Sequence, residues 1–365
     1  WGEPSFGRLG TPALFKVTAA AGGALVRATV TVVDEYNNRV ASANPMPTVA
    51  VASSDPYTPA MSAKQLLAGQ GYNTFDVIFR KAGNHTIKVT ALGLVANTSS
   101  TFAINAGDPA KLQVLIPGET AEPGSTGGKK TDTGGLPVQT AGKPFNVNVG
   151  VTDAFWNRTI MTPAPVVVLS SSDPRPEIDM GQATVLEASG IATMPVKLCT
   201  ASANNTITAS VQGGGLAPDI STPVPVKPSL TTHLHVSVNG NADDTPVTVT
   251  AGQSVIAEIA AHDPYENVTP DYTGQLTLDT NITTDPNNPT VITDVVPSAC
   301  SEPLTFVKGS GVLTISSGIQ FRKAGDGISY PLRSLKAMDC NDDAINGTKS
   351  NVRVLADVKS KFVVN

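Results

Sequence analysis

The chain has 365 residues, with 25 Lys and Arg against 30 Asp and Glu, for a formal net charge of -5. No basic stripe is present, so the electrostatic footprint of a nucleic-acid binder is missing, and no apolar run reaches the roughly 18 residues needed to span a bilayer. Charged residues are only 15% and hydrophobic ones 40%, while 32 Gly and 28 Pro punctuate the sequence, a mixture that suits short strands joined by turns.

In chain order, an opening strand is expected at 13–17, and alternation then places Val26, Ala28, Val30 and Val32 on one face. Period-two alternation of this length marks a strand with one buried side. The run ends in Asp34-x-Tyr36-x-Asn38, followed by Ser53-Ser54-Asp55-Pro56 and the pentapeptide FRKAG at 79–83. The same order then recurs. A strand at 110–114 precedes alternating Phe145, Val147, Val149 and Val151, then Asp153-x-Phe155-x-Asn157, Ser171-Ser172-Asp173-Pro174 and a degenerate Leu198-Cys199-Thr200-Ala201-Ser202. A third copy runs from 232–236 through Val255, Ala257, Ile259 and Ala261 to Asp263-x-Tyr265-x-Asn267, Thr283-Thr284-Asp285-Pro286 and an unchanged FRKAG at 321–325. The motif Asp and the Asp-Pro stand 21, 20 and 22 residues apart, and Gly23, Gly142 and Gly252 each precede the motif Asp by eleven. Three markers keeping step establish an internal repeat.

The repeats are expected at 1–107, 108–228 and 229–356, each with about seven short strands between turns, which points to three Greek-key β-sandwiches. Repeat 2 carries a Gly/Thr-rich stretch, 118–136, that reads as a flexible, solvated loop. Repeat 3 has an insertion at about 287–311, where added binding specificity would reside. Residues 357–365 supply an extra strand with Lys361, Phe362, Val363 and Val364. It either opens a further unit or is donated to a neighbouring subunit, because an unpaired edge strand needs a partner. The sequence begins at Trp1 and reads as a mature or excised segment whose export signal lies outside it.

Three cysteines are too few for a disulfide scaffold. Cys300 and Cys340 fall in one repeat and are the candidate bridge, and Cys199, among alternating apolar residues, reads as a small buried hydrophobe. Asp34, Asp153 and Asp263 are candidate calcium ligands through the hard oxygens of their motif. The preferred reading is structural: the Asp and Asn bond their own backbone in a turn and the aromatic plugs the sandwich end. His233 and His235 alternate on one strand and share a face, half of a metal site, though no acidic cluster adjoins them. No cofactor is otherwise expected. No nucleophile–base motif, HExxH or phosphate loop is visible, and no enzyme is expected. Seven glycosylation sequons occur, at Asn84, Asn97, Asn157, Asn204, Asn267, Asn281 and Asn346.

The segments TVVDEYNNRV, VTDAFWNRTI and LSSSDP, with the FRKAG-like strand after them, resemble the immunoglobulin-like (Ig-like) tandem repeats of bacterial and archaeal surface proteins. The resemblance implies an all-β chain of three Ig-like Greek-key sandwiches, located outside the cell or on its surface. It further implies self-association or stacking on more repeats, in an S-layer, stalk or filament. The alternatives are an adhesin segment whose repeat 3 binds a glycan or a surface protein, and an accessory module of a secreted hydrolase. The cysteine pair flanking a buried tryptophan, found in vertebrate-type domains, is absent.

Overall fold

The computed structural model describes residues 17–18, 23–175, 177–184, 188–242, 245–281, 300–301, 303–324, 327 and 331–357. Among them every regular element is a β-strand, and no helix is long and apolar enough to cross a membrane.

The alternating segments become the long central strands. Ala24–Thr31 pairs antiparallel with Tyr72–Phe79, Phe145–Thr152 with Ile191–Lys197, and Ser254–His262 with Val312–Gln320. Val147, Val149 and Val151 are fully buried, as are Ala257, Ile259 and Ala261. Each buried valine or isoleucine contributes about 1.5–3 kcal/mol, so a one-residue slip, which turns the whole set outward, is strongly disfavoured.

Repeat 3 shows the topology in full. One sheet runs Asn241–Ala242, His233–Val238, Ser254–His262, Val312–Gln320; the other runs Val247–Thr250, Asn346–Leu355, Arg333–Asp339, Gln275–Thr280, Leu304–Thr305. Of the six strands with six or more residues, taken in chain order, the first, second and fourth share one sheet, and the third, fifth and sixth share the other. That is the strand order of an Ig-like sandwich. The facing sheets enclose Val236, Ile259, Leu278, Phe321, Leu335 and Val352. Repeat 2 repeats the order, with Lys111–Leu115, Phe145–Thr152 and Ile191–Lys197 in one sheet and Val166–Ser171, Ile207–Val211 and Asp219–Ile220 in another. In repeat 1, Thr48–Ser53 pairs with Ile87–Ala91 over a core that includes Phe75, Val77 and Phe79. The fold is all-β and Ig-like.

The chain divides into two compact units. The first comprises Trp1–Gln139, Lys143–Leu198 and Ser202–Pro225; the second comprises Thr140–Gly142, Cys199–Ala201 and Val226–Asn365. The threefold division of the sequence therefore meets a twofold division of the fold, with repeats 1 and 2 sharing the first unit.

The stretch expected to be flexible is folded. Glu119–Ala121 and Lys129–Thr131 form an antiparallel hairpin. Gln113 donates its side-chain amide to the Gly128 carbonyl, and Lys129 donates to Asp219 and to the Val114 carbonyl. These long-range partners hold a segment whose composition alone reads as linker. Most of the repeat 3 insertion, the Asp-Pro copy at 283–286 and the terminal residues Lys361–Val364 lie outside the described residues. Cys300 and Cys340 are joined by a disulfide, and Cys199 is fully buried. The three glycines before the motif Asp adopt φ of 97°, 75° and 80°, a region that side-chain-bearing residues rarely enter.

Candidate functional site

The Asp-x-aromatic-x-Asn motif builds the same five-residue loop three times. The backbone N–H of each Asp donates to the carbonyl of its Asn, and the fourth residue donates back to the Asp carbonyl. That fourth residue is left-handed in every copy: Asn37 at φ 66°, Trp156 at 65° and Glu266 at 61°. The Asp carboxylate is the hub. In repeat 2, Asp153 Oδ1 accepts from the N–H of Phe155 and of Asn157, while Oδ2 accepts from the Asn157 carboxamide and from Gly107 N–H in the preceding linker. Asp263 does the same with Tyr265, Asn267 and Ser229. Asp34 takes Tyr36 and Asn38.

These carboxylates are therefore filled by N–H donors, and calcium at Asp34, Asp153 or Asp263 would have to displace them. Hydrogen bonds from Asn38 pull the Asp34 carboxyl below the ordinary range. At Asp263 burial pushes upward, but the donors of Asn267, Ser229 and Tyr265 outweigh it and the net direction is down.

The motif Asn reaches further. Asn157 donates to the Arg80 carbonyl and accepts the N–H of Ala82. It thereby grips the FRKAG turn of repeat 1, and the Arg80 guanidinium lies over the Phe155 ring at 5.7 Å. The same turn is held from its own side, because Asp55 of the Asp-Pro motif accepts from the N–H groups of Arg80 and Lys81. All three sequence landmarks thus meet in one joint. The second unit holds an equivalent joint, in which Asn267 donates to the Cys199 carbonyl and accepts from Ala201 N–H. The degenerate copy of FRKAG keeps its role because only backbone groups are read.

The joints engage two of the glycosylation candidates. Asn157 and Asn267 are 2% and 7% exposed with their carboxamides engaged, which leaves no room for a glycan in the folded chain. Asn84 and Asn204 are exposed. Asn281 bonds the 332 and 334 backbone, Asn346 donates to the Asp343 carbonyl, and Asn97 is half-buried.

A second constellation lies on the outward face of repeat 3. His233 and His235 alternate with the buried Leu234 and Val236, so both rings face away from the core. Antiparallel register sets His262 directly opposite His233, and the left-handed turn of the motif loop swings Glu266 over the same face. His235 Nε2 is 2.7 Å from Glu266 Oε2, His233 Nε2 is 3.2 Å from Oε1, and His262 Nδ1 is 3.5 Å from Oε2. Burial, then the neighbouring His235, depress the His262 pKa. Burial tends to raise the Glu266 pKa, but hydrogen bonding and charge from His235 and His233 bring it down. Reading the sequence locally found two of these four residues. Aligning the repeats would have pointed to the others, since His262 and Glu266 hold fixed places around the motif Asp.

No protein-family model matches the chain, and no curated protein matches it by sequence. Among solved structures it is similar to invasin, a bacterial integrin-binding protein, at 10% identity and a TM-score of 0.29, covering 94% of this chain and 59% of that one. The Escherichia coli adhesin FdeC matches at 16% identity and a TM-score of 0.29, over 93% of this chain and 94% of that one. Domains 4–9 of the surface layer protein SbsC match at 17% identity and a TM-score of 0.21, over 90% of this chain and 42% of that one. The chain thus spans less than two thirds of the invasin and SbsC structures. At these scores the Ig-like assignment rests on the chain's own strand order.

Proposed function

We propose that this chain is a structural segment of an extracellular or cell-surface protein, in which Ig-like repeats stack through the motif loop as a stalk, filament or lattice element. The observation that carries this reading is the Asn157 joint, which fastens repeat 1 to repeat 2 through backbone groups. Two sets of counterparts of the joint residues are more exposed than those in it. In repeat 1, Tyr36 is 76% exposed and Asn38 is exposed, whereas their counterparts Phe155 and Asn157 are half-buried and buried. In repeat 3, Arg322 and Lys323 of the second FRKAG are exposed, whereas Arg80 and Lys81 are half-buried. The exposure of Tyr36, Asn38 and Lys323, at places whose counterparts are less exposed, favours stacking on a further repeat, from this chain's own continuation or from a second copy. The Cys300–Cys340 disulfide supports an oxidising, extracytoplasmic compartment. No catalytic role is proposed.

Light scattering and negative-stain microscopy of the full chain over a concentration series test the reading. Fibres or lattices that Asn38→Asp abolishes are the expected result. Chains that stay monomeric at every concentration and ion condition, yet capture a discrete glycan or protein, would move the adhesin reading ahead.

A further inference from the structure

The four residues on the outward face of repeat 3 form a set that hydrogen bonding alone does not account for. Their donor atoms all lie within 4.8 Å of one another. His262 Nδ1 is buried and has no hydrogen-bond partner. His233 Nε2 and His235 Nε2 face each other at 3.2 Å while both approach one carboxylate. A tetrahedral ion with bonds of about 2.0–2.1 Å to nitrogen and oxygen has ligand–ligand edges of roughly 3.3 Å. Three of the spacings, 3.2, 3.2 and 3.5 Å, lie near that edge, the 2.7 Å contact of His235 with Glu266 has to open, and the other edges lie within 4.8 Å.

The corresponding corner of repeat 2 shows what the scaffold does without such ligands. Register and motif alignment place Lys111, Gln113, Thr152 and Trp156 where repeat 3 has His233, His235, His262 and Glu266. There the Lys111 ammonium sits 3.4 Å from the centre of the Trp156 ring, and a cation–π contact closes the corner. Repeat 3 exchanges all four positions together for side chains able to ligate a metal.

We propose that His233, His235, His262 and Glu266 bind one divalent transition-metal ion of the zinc class. Three imidazoles with one carboxylate suit zinc and its neighbours, whereas calcium and magnesium require oxygen shells. Thr232 Oγ1, 3.1 Å from His233 Nδ1, orients that ring from behind as an outer-shell partner. Four protein ligands complete a tetrahedron and leave no position for a substrate, so the site is structural. The ion ties the strands His233–Val238 and Ser254–His262 to the motif loop and so fixes the loop that carries Asn267.

The test is titration of untagged, chelator-stripped full-length protein with ZnCl2 by calorimetry, with Co2+ absorption reporting the coordination geometry. The expected result is saturable uptake of one ion per chain, a tetrahedral Co2+ spectrum, and Zn2+-dependent thermal stabilisation. His235→Ala and Glu266→Gln should each weaken binding by at least about tenfold, while His85→Gln, at the one histidine outside the cluster, should not. A fourfold variant, His233→Lys with His235→Gln, His262→Thr and Glu266→Trp, installs the residues that repeat 2 already accommodates and guards against loss by misfolding. No saturable uptake, or uptake that survives in the fourfold variant, overturns the proposal and leaves the cluster as histidines paired with a carboxylate.

Discussion

Asn157 and Ala82 are 75 positions apart in sequence, yet the Ala82 N–H lies 2.7 Å from the Asn157 Oδ1 it donates to. Through that bond, and its companion to the Arg80 carbonyl, one repeat reads the backbone of another rather than its side chains. This explains why the motif Asn recurs while the turn it grips is free to drift from FRKAG to LCTAS.

Replacing Asn157 by Ala should therefore cost more than a surface substitution. It orphans a buried acceptor and a buried donor, at about 1–3 kcal/mol each when unsatisfied. Urea unfolding should show a loss of about 2–4 kcal/mol in the first unit, and hydrogen exchange should show early loss of Ala82 amide protection. Asn157→Asp should cost more still, because it sets a second carboxylate against Asp153.

Acid should loosen the second unit through Asp263. Its folded pKa lies below the ordinary 3.8, so the folded state binds the proton more weakly than the unfolded state does. The stability it contributes is complete above 3.8 and is lost as the pH falls through the lower, folded value. Chemical unfolding at a series of acidic pH values should show this decline, and Asp263→Asn should flatten it while lowering stability at neutral pH.

Reduction of the Cys300–Cys340 bridge should also destabilise the second unit. The two cysteines are 40 residues apart, and closing a loop of that length is worth about 3–4 kcal/mol on the chain-entropy estimate. A reductant or the paired Cys→Ser variant should lower the unfolding midpoint of the second unit and spare that of the first.

Gly142 offers a test of close packing. Its φ is 75°, and an added Cβ would overlap the hydroxyl-bearing edge of Tyr265, at Cε2 and the hydroxyl oxygen. Gly213, at φ 87°, meets nothing within 4 Å. Gly142→Ala should therefore cost clearly more than Gly213→Ala, which pays only about 1 kcal/mol of backbone strain. Adding Tyr265→Ala should recover part of the difference in a double-mutant cycle.

Expression in a glycosylating host, followed by peptide mass spectrometry, should find occupancy at Asn84 and Asn204 and none at Asn157 or Asn267. Modification at either buried Asn would require its joint to open before folding is complete.

Much of the architecture is written locally. Alternating valines declare a strand and its buried face because side chains on a strand switch sides at every residue. Gly23, Gly142 and Gly252 mark left-handed turns because other side chains clash there. The recurrence of three landmarks announces the repeat. What only the folded chain decides is which of these local pieces touch. The hairpin within 118–136 looks like linker until Gln113 and Lys129 supply its long-range partners. His233 and His235 look like a lone pair until antiparallel register brings His262 opposite and the left-handed backbone of Glu266 swings its carboxylate over the same face. Such contacts depend on register and loop geometry, which the whole sandwich sets through its buried faces, so no window of sequence around any one histidine contains them.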